Sequence, residues 1–136
     1  MSVLLDTGPL VAVISRDDAY HDACSAAFAS LTRSPATTWP VLTEAAWLLR
    51  HNLEHIETLF DYASESVIDV VDIDAARFAL WLHTFLDKYA DQKPQLADAT
   101  LMYLADEFDV STVFTTDRRD FSVFRRADGQ PLAIIP

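Results

Sequence analysis

The sequence of 136 residues contains little cysteine, little glycine, few basic residues and no long apolar run. Its one cysteine, Cys24, cannot form an internal disulfide, and no Cys/His spacing suggests a zinc site. No apolar run approaches the roughly 20 residues that cross a bilayer, so we expect no membrane span. The N-terminus has no basic start and reaches an acid at Asp6, unlike a secretory signal peptide. These absences favour a cytoplasmic protein without disulfides.

Basic side chains are scarce: 10 Lys and Arg stand against 21 Asp and Glu, giving a formal net charge of −11. A nucleic-acid partner is disfavoured by this balance, because phosphate binding normally draws on Lys and Arg. A basic protein segment is favoured as a partner. Any function that involves RNA therefore requires a local source of positive charge at the RNA-binding site.

The length and the 51% hydrophobic content predict one globular domain, residues 1–136, with a single core. Apolar and β-branched runs predict about five strands, at 3–5, 36–39, 67–73, 112–114 and 132–135. Helical patterns lie between them, with starts marked by Pro9, Pro40, Asp74 and Pro94. Strands that alternate with helices predict an α/β fold, with a mostly parallel sheet and helices on both faces.

Two acids follow directly on predicted strands. Asp6 closes the first apolar strand, and Asp117 follows the run that ends the fourth. In an open parallel sheet, ligands bind outside the carboxyl ends of the strands. We therefore expect both carboxylates at one edge of the sheet.

Two further acids lie on apolar stripes of predicted helices. Asp98 precedes Leu101 by three residues, and Glu44 precedes Trp47 and Leu48 by three and four. A carboxylate on a buried stripe is costly unless it is paired or binds a metal, and no Lys or Arg lies on either stripe. We expect the tryptophans and phenylalanines at helical spacing, Trp47, Trp81 and Phe85, in the core. An apolar surface for a partner is expected on the N-terminal helices, at Leu10, Val13 and Phe28.

Each acid alone has a simpler interpretation. Asp6 could be a turn residue, and Asp117 could cap the turn that follows it. Asp98 could be an acid in the first turn of a helix, where the helix dipole favours a negative charge. Glu44 could be an exposed glutamate in the first turn of its helix. Four carboxylates at one sheet edge favour a different interpretation, because a hard divalent cation prefers oxygen ligands and removes their mutual repulsion.

Four short motifs occur in a fixed order along nearly the whole chain: LLDTGPL at 4–10, TEA at 43–45, LADA at 96–99 and TTDRRDF at 115–121. This ordered set resembles the PIN-domain nucleases, and within them the VapC-type toxins of bacterial and archaeal toxin–antitoxin pairs. The resemblance implies a three-layer α/β/α PIN-like fold and metal-dependent endonucleolytic cleavage of RNA, with Mg²⁺ or Mn²⁺ as the cofactor. It also implies a homodimer that a cognate antitoxin protein holds inactive.

By position, the resemblance makes Asp6, Glu44, Asp98 and Asp117 the catalytic acids and the metal ligands. Asp120 matches an acid that some family members have and others lack. Thr7 and Thr116 match supporting positions, and the Thr116 hydroxyl is expected to orient a carboxylate or a water. We hypothesise that Asp6 and Asp98 bind the first ion, with Asp117 and Glu44 contacting it directly or through water.

A cluster of arginines beside Asp117 gives the best candidates for gripping RNA phosphates. The alternative is that these arginines pair with local acids such as Asp120 and Asp128. The cluster comprises Arg118, Arg119, Arg125 and Arg126.

Three other functions remain open. One is a PIN nuclease of RNA maturation without an antitoxin, and another is a catalytically silent PIN scaffold for protein interaction. A third is a phosphatase-like hydrolase with Asp6 as its nucleophile, although that chemistry usually has a second acid two residues on, where this chain has Gly8.

Overall fold

The structure, a computed structural model, describes residues 2–136. Within these residues, five short strands alternate with seven α-helices and one 3₁₀ helix at Ala90–Gln92. The strands are β1 (Leu4–Leu5), β2 (Ala36–Thr37), β3 (Asp69–Val70), β4 (Thr112–Phe114) and β5 (Ala133–Ile135). The helices are α1 (Thr7–Ile14), α2 (His21–Ala29), α3 (Trp39–Leu48), α4 (Leu53–Ser64), α5 (Ala75–Tyr89), α6 (Leu96–Phe108) and α7 (Arg118–Val123).

All five strands are parallel and lie in the order β3-β2-β1-β4-β5. The chain first moves outward from β1 through β2 to β3 and then crosses back to β4, which pairs with the other side of β1. Right-handed crossovers in these two directions place the helices on opposite faces, which gives the predicted three-layer α/β/α fold. The order of the strands therefore reverses between β1 and β4, where open α/β sheets form their ligand crevice.

Helix α6 is the most deeply buried helix around the sheet. Every residue from 97 to 105 is buried, although α6 carries an acid in its first turn. Its Tyr103 meets Phe78 and Trp81 of α5 edge to face, at centroid distances of 5.4 and 5.5 Å. Phe85 is buried in the core, as the sequence predicts, and Trp81 is half-buried and packs against the core. None of the helices in residues 2–136 has both the length and the apolar content to cross a membrane.

Two expectations about apolar residues are wrong. Leu10 is fully buried in the core and cannot offer a partner surface, because α1 packs between the sheet and its neighbouring helices. Trp47 is 63% exposed rather than buried, because the core-facing side of α3 is formed by Val41, Leu42 and Ala45. The stripe that carries Glu44 and Trp47 therefore faces outward from the core.

Candidate active site

Five acidic side chains border one pocket of about 230 Å³ at the carboxyl edge of the sheet. The four acids that the sequence singles out all lie here, and Asp120 is the fifth. The acids are Asp6, Glu44, Asp98, Asp117 and Asp120, and the other lining residues are Thr7, Gly8, Leu48, Gln95 and Thr116.

Asp6 occupies the junction between β1 and α1. Its backbone N–H continues the β1–β4 pairing by donating to the Phe114 carbonyl (3.0 Å). It is the N-cap residue of α1, where the positive end of the helix dipole favours a carboxylate. Its Oδ2 accepts a hydrogen bond of 2.7 Å from the hydroxyl of Thr115. The neighbouring strand thus fixes the orientation of this buried carboxylate.

Thr115 joins the two central strands of the site. Its buried hydroxyl donates to Asp6 and also accepts the backbone N–H of Asp117 (2.9 Å). Thr116, where the resemblance placed an orienting hydroxyl, also lines the pocket, and its Oγ1 lies close to Gly8. One signal in the sequence could have identified Thr115: a hydroxyl residue at the end of a buried strand needs a hydrogen-bonding partner.

Helix α7 begins at Asp117 and brings in Asp120. The Asp117 Oδ1 accepts the backbone N–H of Asp120 (3.2 Å), so Asp117 caps α7 and lines the pocket at once. The cap interpretation of Asp117 and its role in the cluster are therefore compatible. The sequence did not predict α7, because a helix of fewer than two turns shows no clear period.

Asp98 and Glu44 come from two helices that contact each other. The hydroxyls of Thr38, at the start of α3, and Thr100, in α6, are 2.8 Å apart and hydrogen-bonded in the core. Glu44 is half-buried, and its Oε2 accepts a hydrogen bond from the Thr7 hydroxyl (3.2 Å). Thr7, which the resemblance marks as a supporting position, thus hydrogen-bonds one of the pocket carboxylates.

The electrostatics of the pocket favour protonation. Burial, with the charges of Asp6, Asp120, Asp117 and Glu44 adding to it, raises the pKa of Asp98 to about 7. Burial also raises the pKa of Asp6, against the opposing hydrogen bond from Thr115. The pKa of Asp120 is raised by burial and then by the charge of Asp117.

The donor set fits a hard divalent cation. One carboxylate oxygen each from Asp98, Asp117 and Asp120 lie within 4.8 Å of one another. Oxygens across an Mg²⁺ ion lie about 4.2 Å apart, so small side-chain rotations would bring these three to bonding distance. Among residues 2–136, no Lys, Arg or His forms an ion pair with any acid of the pocket. Asp98 is only 7% exposed and receives no hydrogen bond from the described residues, so its charge lacks a partner in the protein.

The four arginines of the sequence cluster separate in the structure. Arg118 and Arg119 lie exposed on the first turn of α7, beside the pocket, although Arg118 also donates to the Pro136 carbonyl. Arg125 folds back onto the carbonyls that end α7. Arg126 forms ion pairs with Asp109 and Asp128. Asp109 ends α6, about 16 Å along the helix from Asp98.

The expectation that all four arginines face RNA beside Asp117 is therefore corrected for two of them. Arg126 pairs with local acids, as the alternative interpretation held, and Arg125 satisfies backbone carbonyls. Of the four, Arg118 and Arg119 remain candidates for binding RNA, since they directly follow the pocket acid Asp117.

Comparisons with known proteins agree with this architecture. A family model described as PIN domain matches residues 3–129. Ribonuclease VapC26 of Mycobacterium tuberculosis (strain ATCC 25618 / H37Rv) is 43% identical over 49 residues, a match that covers 36% of this chain and 36% of that protein.

Two solved structures are similar in fold at 18% sequence identity. The crystal structure of Mycobacterium tuberculosis VapC20, described as a sarcin–ricin loop cleaving toxin, has a TM-score of 0.78 and covers 90% of this chain and 96% of its own. The crystal structure of VapBC2 from Rickettsia felis, bound to a DNA fragment from its promoter, has a TM-score of 0.66 and covers 100% of both chains.

Proposed function

The chain belongs to the PIN-domain family, and on that premise we propose that it is a metal-dependent endoribonuclease of the VapC toxin type, acting as a single domain over residues 1–136. The observation that carries the proposal is the pocket of five carboxylates in which Asp98 is buried without a partner. A scaffold protein gains nothing from such repulsion, whereas a divalent cation turns it into a binding site.

Each acid has a distinct part in the proposed site. Asp98, Asp117 and Asp120 offer converging oxygens to an Mg²⁺ or Mn²⁺ ion. Asp6 and Glu44, held by hydroxyls of Thr115 and Thr7, line the same pocket and are proposed as the remaining catalytic acids. A cation held by these carboxylates would lower the pKa of a water and would neutralise charge on the attacked phosphate.

Substrate binding requires positive charge next to this acidic pocket. Arg118 and Arg119 provide it on the protein side, because their backbone lies at the start of α7, one residue beyond Asp117. We propose that these two side chains bind phosphates of the RNA that flank the cleaved bond. The metal and the arginines together offset the net negative charge at this edge of the molecule.

The biological setting follows from the same family. We propose that the protein acts in the cytoplasm as a homodimer, and that a cognate antitoxin with a basic segment inhibits it. The charge of −11 favours such a segment. The aspartyl-nucleophile alternative is weakened, because the residue two positions after Asp6 is Gly8, which packs against Thr116.

A cleavage assay on total cellular RNA tests the enzymatic proposal. Purified protein with Mn²⁺ or Mg²⁺ should produce discrete new RNA ends, mapped by sequencing, and EDTA should abolish them. Asp98→Asn should lose cleavage at least ~100-fold, whereas Asp87→Asn, an exposed acid on α5, should cut normally. Full activity of Asp98→Asn, or cleavage in EDTA, would refute a metal-dependent site built on Asp98.

Expression in cells tests the toxin part of the proposal. The protein alone should arrest growth, and co-expression of a small open reading frame adjacent to its gene should restore it. Growth that is unaffected by active protein would leave a nuclease of RNA maturation, without an antitoxin, as the better description.

A further inference from the structure

A second pocket, separate from the acidic one, gathers basic residues in a protein that has few of them. It has a volume of about 200 Å³ and lies where the second half of α5, the end of α6 and the segment after α7 meet. Three of the ten basic residues of the chain line it: Lys88, Arg125 and Arg126. Its one acid, Asp106, lies eight residues after Asp98 in α6, about 12 Å along the helix axis. We call it the α5–α6 pocket.

The α5–α6 pocket has an aromatic wall. Trp81, Phe85 and Tyr89 follow one another at every fourth position of α5, so they form one row on the surface of the helix. Neighbouring ring centroids in this row are 4.7 and 4.9 Å apart. Phe85 and Tyr89 are buried, and Trp81 is half-buried. A ligand in this pocket therefore meets apolar ring surface as well as positive charge.

The one acid of the pocket is occupied by hydrogen bonds from neutral groups. The Asp106 Oδ2 accepts the indole N–H of Trp81 (2.7 Å), and its Oδ1 accepts the backbone N–H of Ala127 (2.7 Å). Asp106 forms no ion pair with any basic side chain of residues 2–136. It therefore belongs to the wall and leaves the cations of the pocket without a direct partner there.

Two of the three cations keep donors available. Lys88 is exposed and forms no ion pair within the described chain, and its Nζ lies 5.4 Å from the centroid of the Tyr89 ring. Arg125 uses Nη1 on the carbonyls that end α7, and its Nη2 donates to no acceptor of residues 2–136. An anion in the pocket would therefore find two charged donor groups.

The third cation has a buried donor that lacks an acceptor. The Arg126 side chain is only 12% exposed, and its Nη2 pairs with Asp109 and Asp128, neither of which lines the pocket. Its Nε is nevertheless the one buried polar side-chain atom of the described residues that has no hydrogen-bond partner. Such a donor is costly, so it indicates an acceptor that the chain itself does not supply.

We propose that the α5–α6 pocket binds a small organic phosphate, a monoester whose organic part is apolar or aromatic. A phosphate monoester offers three strong acceptor oxygens and up to two negative charges, which matches three basic side chains better than a single carboxylate does. The organic part lies against the aromatic row of α5. The volume of the pocket is below the roughly 300–1,000 Å³ of sites for drug-sized ligands, so the ligand is small.

This site is independent of the proposed nuclease. The α5–α6 pocket and the acidic pocket share no lining residue, and the phosphate site requires neither a metal ion nor RNA. Loss of one function would therefore leave the other in place.

An NMR titration of the full chain in EDTA with phenyl phosphate tests the pocket. The indole N–H signal of Trp81, identified with Trp81→Phe, should shift and saturate, because this N–H is hydrogen-bonded to Asp106 in the pocket wall. The signals of Trp39 and Trp47, which lie outside the pocket, should stay in place. Inorganic phosphate should bind at least ~10-fold more weakly, because it buries no apolar area. Equal affinity for the two probes, or a Trp81 signal that does not shift, would overturn the proposal.

The two lysines of the chain provide a matched pair of variants. Lys88→Gln should weaken binding of phenyl phosphate at least ~10-fold, because a charged donor to the phosphate is lost. Lys93→Gln removes the same charge from an exposed lysine that does not line the pocket, and it should bind as wild type does. Wild-type affinity in Lys88→Gln would refute the site. A Trp81 signal that shifts with a short single-stranded RNA, but not with phenyl phosphate, would also refute it and would assign the pocket to RNA.

Discussion

The hydroxyl of Thr115 shows how much of this site depends on one buried side chain. It donates to the Asp6 carboxylate and accepts the backbone N–H of Asp117, so it links two acids that follow different strands. Removing a buried partner leaves groups unsatisfied, at about 1–3 kcal/mol. The hydroxyl also holds the pKa of Asp6 down against the effect of burial.

Thr115→Val should therefore lower the free energy of unfolding by about 1–3 kcal/mol and weaken Mn²⁺ binding. Thr115→Ser keeps the hydroxyl and should restore most of the Mn²⁺ affinity, even if the lost methyl group costs some stability. Calorimetric titration with Mn²⁺ and denaturant unfolding measure the two effects. Wild-type Mn²⁺ affinity in Thr115→Val would show that this hydroxyl does not position the acids.

Asp98 makes the stability of the metal-free protein depend on pH. Its pKa is about 7 in the fold against an ordinary value of 3.8, so the folded state favours the protonated form. The free energy of unfolding is therefore highest below pH 3.8, where Asp98 is protonated in both the folded and the unfolded state. It falls as pH rises to about 7, and above that pH the destabilisation by the Asp98 charge is constant. The upper bound is about 4 kcal/mol, because each pH unit in this window is worth about 1.4 kcal/mol.

Asp98→Asn should consequently stabilise the protein in EDTA, and more at pH 8 than at pH 5. The amide cannot ionise, so it avoids the charge that the pocket disfavours at high pH. Urea unfolding of both proteins at the two pH values provides the comparison. An equal gain at pH 5 and pH 8 would mean that Asp98 does not titrate in this window.

At the scale of the elements, the start of α1 is fitted closely to the turn after β4. Gly8 is the second residue of α1, and a Cβ at this position would overlap the Thr116 Oγ1. The missing side chain thus lets α1 and the loop before Asp117 approach each other across the crevice. The fit predicts a coupling between two residues that are far apart in sequence.

Gly8→Ala should destabilise the protein by about 1–3 kcal/mol, because the added methyl group forces Thr116 to move. In the Thr116→Ala background the obstruction is gone, and the same substitution should instead stabilise by about 0.5–1 kcal/mol, as alanine does in a helix. Unfolding of the four proteins gives the coupling energy. Additive effects would indicate that the contact between Gly8 and Thr116 carries no energy.

Helix α7 carries the cations that the proposed RNA binding needs. Arg118→Ala/Arg119→Ala should weaken binding of RNA to the inactive Asp98→Asn protein and flatten its dependence on salt. Arg16→Ala/Arg33→Ala is a control of equal charge: both residues lie at the opposite edge of the sheet, after α1 and before β2. Filter binding over a salt series gives the slopes. Equal slopes in both variants would mean that α7 does not contact phosphate.

At the scale of the whole molecule, metal binding and folding are linked. A ligand that binds only the folded protein at a concentration of 100 times its Kd stabilises it by about 2.7 kcal/mol. Mn²⁺ should raise the melting temperature of the wild type, and more at pH 8 than at pH 6, because Asp98 must lose its proton to bind the ion. Differential scanning fluorimetry with and without Mn²⁺ provides the measurement.

The control for this linkage is Asp98→Asn, which should show a much smaller rise with Mn²⁺. A rise of equal size in both proteins would mean that the ion binds elsewhere on this acidic surface. No rise in either would favour the scaffold alternative over the nuclease.

The sequence by itself determined the layout of the fold and the membership of the acidic set. Five apolar runs separated by helical patterns predict a parallel α/β sheet, since only crossover connections join such strands. Asp6 and Asp117 follow strand ends, so their place at the carboxyl edge is a consequence of local order. The buried position of Asp98 follows from the period of α6.

Only the tertiary structure decided which neighbours each side chain meets. Asp120 joins Asp98 and Asp117 because it lies in the first turn of α7, a helix too short to show a period in the sequence. The Thr115 hydroxyl bonds to Asp6 and to the backbone N–H of Asp117, which links the ends of two strands that are far apart in sequence. Arg126 forms an ion pair with Asp109, a contact that the spacing of these residues in the sequence does not predict. Trp47 is exposed because the opposite side of α3 packs against the core. Contacts of this kind join residues distant in sequence, so local patterns do not determine them.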